Sequence, residues 1–234
     1  MRDVINIRLK EVYEYIRAHY NVLLTFCAPL IIVYYIMRTI LIEPTATFEL
    51  DASLFAGFFM DILYNIILTT VVIYIINSLN INQNINFDNL KVFFRKNIVL
   101  IASAMLLILL FTYVGLMLLI IPGIIVFTRL AAVPFLIAFD NVKLVNAFNL
   151  SFEYSKKYTW PMFFCLVIIS FIALNLSAIL AFLGLKPYGL IGTFIFSLTY
   201  VIDTILIYHF YLDIRSVMIA DYHRIHSLNP PASS

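Results

Sequence analysis

Residues 98–139 read IVLIASAMLLILLFTYVGLMLLIIPGIIVFTRLAAVPFLIAF, an apolar run that contains one charged residue, Arg129. A helix that crosses the hydrocarbon core of a membrane needs about 20 predominantly apolar residues. The run is long enough for two such helices, and Pro122-Gly123 favours a turn between them. The stretch therefore predicts a membrane hairpin with spans at 98–121 and 122–139.

The rest of the chain has the same apolar character. Of its 234 residues, 63% are hydrophobic and 12% are charged, whereas an ordinary soluble domain is about 25% charged. This composition excludes a water-soluble fold. The net charge of +2 gives no reason to expect a nucleic-acid partner. Cys27 and Cys165 lie in apolar runs, unlike the cysteines of a disulfide framework or a metal site, so we expect no metal and no cofactor.

Six stretches are apolar and long enough to cross a membrane: 21–42, 54–77, 98–121, 122–139, 159–183 and 189–212. They predict an all-α, polytopic membrane helix bundle, with residues 1–228 forming a single transmembrane domain. Residues 229–234 read NPPASS and are expected to be a disordered tail.

The basic residues lie almost entirely on one side of this predicted bundle. Lys186 lies on the other side, and Arg38 lies near its edge. Because cytoplasmic loops carry an excess of Lys and Arg, this asymmetry predicts that both termini are cytoplasmic. The basic residues on the side of the termini are Arg2, Arg8, Lys10, Arg17, Lys91, Arg95, Lys96, Lys143, Lys156, Lys157, Arg215 and Arg224.

Three segments on that side share a pattern. Residues 1–20, 87–97 and 142–158 each combine an amphipathic stretch with a polar or basic end, and a membrane hairpin follows. We interpret them as interfacial helices that open a threefold repeat, with units at about 1–77, 87–139 and 142–212. The alternative is that these segments are ordinary basic loops.

The basic ends of these segments predict contact with membrane lipids. Lys and Arg near an anionic headgroup contribute about 1 kcal/mol each, and tryptophan is enriched at the same level. A homo-oligomer is also possible, because the small residues Ala173, Ser177 and Ala181 suit close helix contact within or between subunits. The residues predicted to contact headgroups are Arg17, Arg95, Lys96, Lys156, Lys157 and Trp160.

Ionisable residues within membrane spans are costly and therefore serve as candidates for a functional site. Asp61 and Arg129 each lie seven residues into a span, about 10 Å deep at 1.5 Å per residue. We hypothesise that they pair, which would either fix helix register or form a substrate or ion site. Asn65 shares a helical face with Asp61, and the candidate site is completed by Tyr200 and Asp203.

Asp203 lies deeper, about 21 Å from Gly189, where its span begins on the side opposite the termini. Its carboxyl group could serve a ligand, or it could be satisfied by tyrosine hydroxyls or water. The two aspartates do not predict an aspartyl protease, because helix rise separates Asp61 and Asp203 by about 11 Å along the membrane normal, whereas a catalytic dyad needs about 3 Å. No phosphate loop, nucleophile elbow or His-Glu-x-x-His motif is present in the sequence, so we expect no enzyme.

Residues 115–160 carry a pattern that resembles a known family. A proline-glycine pair opens an apolar helix, a second proline lies inside it, and an acidic turn and a serine precede the next span: Pro122-Gly123, Pro134, Asp140 and Ser151. The pattern resembles the YciC family of bacterial inner-membrane proteins and, more distantly, the membrane domain of glycerophosphoryl diester phosphodiesterases. The resemblance implies a multi-pass protein of the bacterial inner membrane and supplies no catalytic residues.

These observations lead us to expect a non-enzymatic membrane protein with an envelope or lipid-related role. The alternative is a transporter or channel with a polar intramembrane site around Asp61, Arg129 and Asp203. A water-filled cavity that connects Asp61 to one membrane face favours transport, whereas a closed or lipid-facing groove favours the lipid role.

Overall fold

The computed structural model describes residues 1–42, 52–185 and 189–228, so the predicted tail at 229–234 lies outside the described residues. In this part of the chain every regular element is a helix. The α-helices are α1 (Arg2–Ile42), α2 (Ala52–Asn80), α3 (Phe87–Leu118), α4 (Ile120–Leu130), α5 (Val133–Asp140), α6 (Leu144–Tyr154), α7 (Thr159–Phe182) and α8 (Leu190–Leu228), with a 3-10 turn at Lys156–Tyr158.

The six predicted membrane spans are confirmed. Six helical segments are long and apolar enough to cross a membrane, and the fourth of them consists of α4 and α5 together. α1 and α8 extend well beyond their apolar parts at the ends that carry the chain termini. Hereafter, the N-terminal side is the side of the bundle on which α1 begins, and the far side is the opposite one.

The fourth span is broken near Pro134. Proline has no backbone N–H and clashes with the carbonyl of the preceding turn, so it favours the start of a helix over its interior. α4 accordingly ends at Leu130, and Pro134 lies in the first turn of α5. At the break the carbonyl of Arg129 accepts hydrogen bonds from the hydroxyls of Ser151 at 2.6 Å and Ser155 at 3.0 Å. α6 therefore satisfies a backbone group at the break.

α3 and α4 form a tight hairpin that turns at Leu119, whose backbone is extended with φ −164° and ψ 148°. Gly115 and Gly123 face each other where the two helices meet. A Cβ atom on Gly115 would lie 2.8 Å from the Cα of Gly123, closer than side chains tolerate. The turn thus lies slightly before the predicted Pro122-Gly123 position, and Gly123 permits close packing.

The core lies around the second half of α2 and around α5. Val72, Ile73, Ile75 and Ile76 are fully buried, as are most residues of the short α5. A helix that is apolar on every face suits this position, because α1, α3, α5 and α8 surround α2. The bundle is therefore packed most tightly in the half nearer the N-terminal side.

Ion pairs close the N-terminal side. Arg8 of α1 donates to both carboxylate oxygens of Asp213 in α8, at 2.6 and 2.7 Å. Asp140, at the end of α5, accepts hydrogen bonds from Tyr211 at 2.7 Å and from Arg215 at 2.9 Å. Three helices that are distant in sequence are thereby joined at one end of the bundle.

The three repeat segments differ in structure. α1 has one residue with non-helical backbone angles, His19, which divides residues 2–18 from the apolar part of the helix. Residues 87–97 differ from the prediction of a separate interfacial helix, because they begin α3 and continue into the span without a break. Only α6 is a separate helix before its span. The threefold repeat and the in-plane orientation of these segments stay predictions.

Candidate functional site

Asp61 has partners on α1. The hydroxyl of Tyr34 donates a hydrogen bond to the Oδ1 atom of Asp61. The Nη1 atom of Arg38 lies 3.9 Å from the same oxygen and donates to the Tyr34 hydroxyl at 3.1 Å. Asp61 therefore joins α2 to α1 through one hydrogen bond and one ion pair.

The predicted Asp61–Arg129 pair is wrong. The guanidinium of Arg129 lies 4.9 Å from the ring centre of Phe152, and its Nε donates to the Thr159 hydroxyl at 3.4 Å. The prediction assumed that the second and fourth spans are neighbours, whereas α4 packs mainly on α3, α6 and α7. Similar depths do not bring two charges together when other helices lie between them.

A polar pocket of about 400 Å³ surrounds Asp61 in the half of the bundle nearer the far side. Tyr34 stacks on Tyr64 with ring centres 4.0 Å apart, and the Tyr64 hydroxyl donates to Ser197 of α8 at 2.7 Å. These contacts join α1, α2 and α8. The pocket, hereafter the far pocket, is lined by Tyr34, Arg38, Asp61, Tyr64, Asn65, Thr193, Phe196, Ser197 and Tyr200.

A second cavity of about 510 Å³, hereafter the central cavity, lies between α2, α3, α7 and α8. Its residues are Ile62, Asn65, Ile66, Thr69, Met105, Ile108, Leu109, Thr112, Tyr113, Leu116, Phe127, Ala131, Pro134, Phe135, Leu166, Ser170, Tyr200, Asp203, Thr204 and Ile207. The break between α4 and α5 contributes Ala131 and Pro134 to its wall. The fold thus brings Asn65, Tyr200 and Asp203, three of the predicted site residues, to one cavity.

The polar groups of the central cavity are concentrated on two helices. α2 provides Asn65 and Thr69, four residues apart, and α8 provides Tyr200, Asp203 and Thr204 at three- and four-residue spacing. Residues at these spacings share one helical face. The opposite wall, formed by α3, α4 and α7, is mostly apolar, so the cavity has one polar and one apolar side.

Asp203 is the unusual member of the polar side. Its Oδ1 atom is buried and has no hydrogen-bond partner among the residues that the structure describes. The neighbouring hydroxyls bond elsewhere: Thr69 donates to the hydroxyl of Tyr200 at 3.2 Å, and Thr204 donates to the backbone carbonyl of Tyr200 at 2.8 Å. The tyrosine partner that we considered for Asp203 therefore does not satisfy this oxygen.

The surroundings of the central cavity differ at its two ends. Asn65 and Tyr200 line both the central cavity and the far pocket, so the two spaces adjoin. Towards the N-terminal side, Phe135 stacks on Tyr211 with ring centres 5.6 Å apart, and Tyr208 packs beside them. This aromatic cluster and the ion pairs of Arg8 and Asp140 close the bundle on the N-terminal side.

A third space is larger but chemically simpler. An open groove of about 1000 Å³ lies between α3, α4 and α6, and its only charged lining residue is Glu153. Phe111, Phe148 and Phe152 contribute much of its apolar wall. Such a surface suits lipid chains, whereas the central cavity is less open and contains a carboxyl group that can recognise charge.

The residues predicted to contact lipid headgroups are accessible. Arg17, Arg95, Lys96, Lys156, Lys157 and Trp160 are all exposed. Lys96 donates to the side chain of Asn141 at 3.1 Å, and the Lys157 ammonium lies 5.8 Å from the ring centre of Tyr158. Headgroup contact at these residues stays a prediction.

The two partners of Asp61 in the far pocket were missed in the sequence. Tyr34 and Arg38 lie four residues apart on α1 and provide the partners of Asp61. Their spacing was a usable signal, because it places a hydroxyl and a cation on the same face of a span. The charge pattern instead predicts Arg38 near the edge of the side opposite the termini. Cys27 and Cys165 are buried, as predicted for residues within apolar runs.

No family model, no curated protein and no solved structure matches this chain. The resemblance of residues 115–160 to the YciC family therefore stays an expectation from sequence. The six apolar spans and the all-helical fold establish a multi-pass integral membrane protein.

Proposed function

We propose that this protein is a non-enzymatic transporter that binds a ligand with a protonated amine, or a similar cationic hydrogen-bond donor, at Asp203. This is the transport alternative from the sequence, centred on the central cavity instead of on an Asp61–Arg129 pair. The observation that carries the proposal is the buried Oδ1 atom of Asp203, which lines a cavity and lacks a partner in the described protein.

The chemistry of the polar wall supports a cationic ligand group. A carboxylate is an acceptor only, and a protonated amine supplies both positive charge and hydrogen-bond donors. Burial strengthens that attraction, and it also makes the unpartnered Oδ1 atom costly. Asp61 is a poorer candidate, because Tyr34 and Arg38 already satisfy it.

The position of the cavity supports movement across the membrane. Transporters commonly place their binding site near the middle of the bilayer, where helices are interrupted. Here the α4–α5 break contributes Ala131 and Pro134 to the wall of the central cavity. The aromatic cluster around Phe135 would have to separate for a ligand to leave towards the N-terminal side.

The location and surroundings of the protein are part of the proposal. The distribution of basic residues supports cytoplasmic termini, and the resemblance of residues 115–160 supports the bacterial inner membrane. Exposed Arg95, Lys96, Lys156 and Lys157 support contact with anionic lipids on the N-terminal side. The lipid-related role expected from the sequence is thereby reduced to lipid contact at the surface of the proposed transporter.

Binding of radiolabelled octylamine to the full-length protein in lipid nanodiscs tests the proposal. We expect Asp203→Asn to weaken specific binding by about tenfold or more, which corresponds to about 1.4 kcal/mol. Asp88→Asn is the matched control, since Asp88 is an exposed aspartate that pairs with Lys91 at 3.4 Å on the surface. Equal binding by wild type and Asp203→Asn, or an equal loss in Asp88→Asn, would overturn the proposal.

A further inference from the structure

An apolar groove borders the central cavity on the side of the bundle. This lateral groove has a volume of about 410 Å³ and lies between α3, α4 and α7. It is lined by Thr112, Leu116, Gly123, Ile124, Phe127, Phe163, Leu166, Val167, Ser170, Phe171 and Leu174. Five of these residues, Thr112, Leu116, Phe127, Leu166 and Ser170, also line the central cavity, so the two spaces adjoin.

The lateral groove reaches the lipid-facing surface of α7. Val167, Phe171 and Leu174 line it and are 44%, 66% and 61% exposed. Exposed apolar residues on a membrane span face the hydrocarbon of the bilayer. The groove therefore leads from the hydrocarbon region towards the cavity that holds Asp203.

Along this route, polar groups lie at the inner end and apolar groups lie towards the lipid. Asp203, Tyr200 and Asn65 lie at the inner end, on α8 and α2. Ser170 and Thr112 lie where the cavity and the groove meet, and the groove beyond them is lined by apolar side chains. A molecule that matches this arrangement has a polar, cationic end and an apolar tail.

We infer that the ligand is a membrane-borne amphiphile with a cationic, hydrogen-bond-donating head, which reaches Asp203 sideways from the bilayer and leaves its tail in the lateral groove. This inference rests on the proposed function and specifies its ligand class. A small hydrated ion fits less well, because the wall of the cavity formed by α3, α4 and α7 offers few groups to replace its water.

The other route to the cavity passes through the far pocket and is chemically different. Asn65 and Tyr200 stand between the two spaces, and the Tyr200 hydroxyl is held by Thr69 at 3.2 Å. Beyond them, Arg38 and Asp61 are paired across the pocket. A water-soluble ligand would have to pass these polar contacts, whereas an apolar tail meets mostly apolar side chains in the lateral groove.

Two carbodiimides distinguish these routes, because both react with carboxyl groups but differ in solubility. Dicyclohexylcarbodiimide is uncharged and partitions into the bilayer, whereas ethyl-dimethylaminopropyl carbodiimide carries a charge and stays in water. Each would be applied to the full-length protein in lipid nanodiscs, and the modification of Asp203 measured by peptide mass spectrometry. We expect the lipid-soluble reagent to modify Asp203 about tenfold faster, a difference of about 1.4 kcal/mol in barrier.

A tryptophan at Ser170 should block the lateral route. Ser170→Trp places a large ring where the cavity and the groove meet, and we expect it to slow modification by the lipid-soluble reagent by about tenfold. Ile172→Trp is the control: Ile172 is 62% exposed on the same helix and lines none of the four spaces. If Ser170→Trp does not fold, Thr112→Phe tests the same junction from α3.

The inference is overturned if the lipid-soluble reagent does not modify Asp203, if both reagents modify it equally, or if neither junction variant slows the reaction. If Asp203→Asn nevertheless loses octylamine binding, the proposed binding site is supported and only the lateral route is contradicted. Lateral modification of Asp203 together with unchanged octylamine binding in Asp203→Asn would instead contradict the proposed function.

Discussion

Arg8 and Asp213 join the first and last helices through two hydrogen bonds of 2.6 and 2.7 Å. Their side chains are 17% and 21% exposed, so the pair is largely removed from solvent. Glu11 also contacts Arg8 and lies 3.6 Å from the Nδ1 atom of His209. The cluster connects the N-terminal segment of α1 to α8 beside the aromatic residues that close the central cavity.

The Arg8–Asp213 ion pair should stabilise the N-terminal side of the bundle measurably. In a double-mutant cycle with Arg8→Met and Asp213→Asn, we expect a coupling energy of about 1 to 3 kcal/mol, because the two side chains contact each other directly. Thermal unfolding of the four proteins in detergent micelles provides the measurement. Strictly additive effects would show that the pair does not stabilise the fold, and the exposed pair Lys91–Asp88 is the matched control.

The α3–α4 hairpin should tolerate no side chain at Gly115. A Cβ atom there would lie 2.8 Å from the Cα of Gly123, so Gly115→Val forces the helices apart and should cost about 1 to 3 kcal/mol. Met117→Val is the control, since Met117 is 85% exposed. A thermal midpoint of Gly115→Val equal to that of the control would contradict this packing.

Two serines together should stabilise the break between α4 and α5. Ser151 donates to the carbonyl of Arg129, and the Ser155 hydroxyl lies within hydrogen-bond distance of both that carbonyl and the Ser151 carbonyl, so either hydroxyl alone can satisfy the Arg129 carbonyl. We expect the double variant Ser151→Ala/Ser155→Ala to lose about 1 to 3 kcal/mol, and each single variant to lose less. Thermal unfolding tests this, with Ser103→Ala as the control because its hydroxyl bonds only to its own helix. A double variant as stable as the wild type would rule out this role for α6.

The orientation in the membrane should follow the basic residues. We expect reporter tags at residue 1 and residue 234 to respond as cytoplasmic, and a tag inserted within 43–51 to respond as periplasmic. The measurement is enzymatic reporter activity in cells. Termini on opposite sides, or both outside the cytoplasm, would contradict the predicted topology.

The sequence was sufficient to predict the membrane spans but not to predict which spans are neighbours. Span length and apolarity are local properties, so six helices could be predicted, including the weak fourth one that breaks near Pro134. The partner of Asp61 depends on which helices touch, and sequence depth alone did not distinguish Arg38 from Arg129. In a small bundle, several charged residues at similar depth are candidate partners for one another. Only the packing of the helices decides which of them pair.

The candidate site was partly visible in the sequence. The polar stripes containing Asn65 on α2 and Tyr200 with Asp203 on α8 could be recognised from helical spacing, and the fold places both stripes on one cavity. The lateral groove could not be recognised, because its residues are ordinary apolar membrane residues. Its existence depends on how α3 and α7 are held apart around α4.

The most direct measurement is a crystal structure of the full-length protein soaked with 8-bromooctylamine, in which anomalous scattering locates the bromine. The account predicts the amine nitrogen within about 3 Å of a carboxylate oxygen of Asp203 and the bromine in the lateral groove. Amine density beside Asp61 in the far pocket, or bromine only on the outer surface of the bundle, would contradict it.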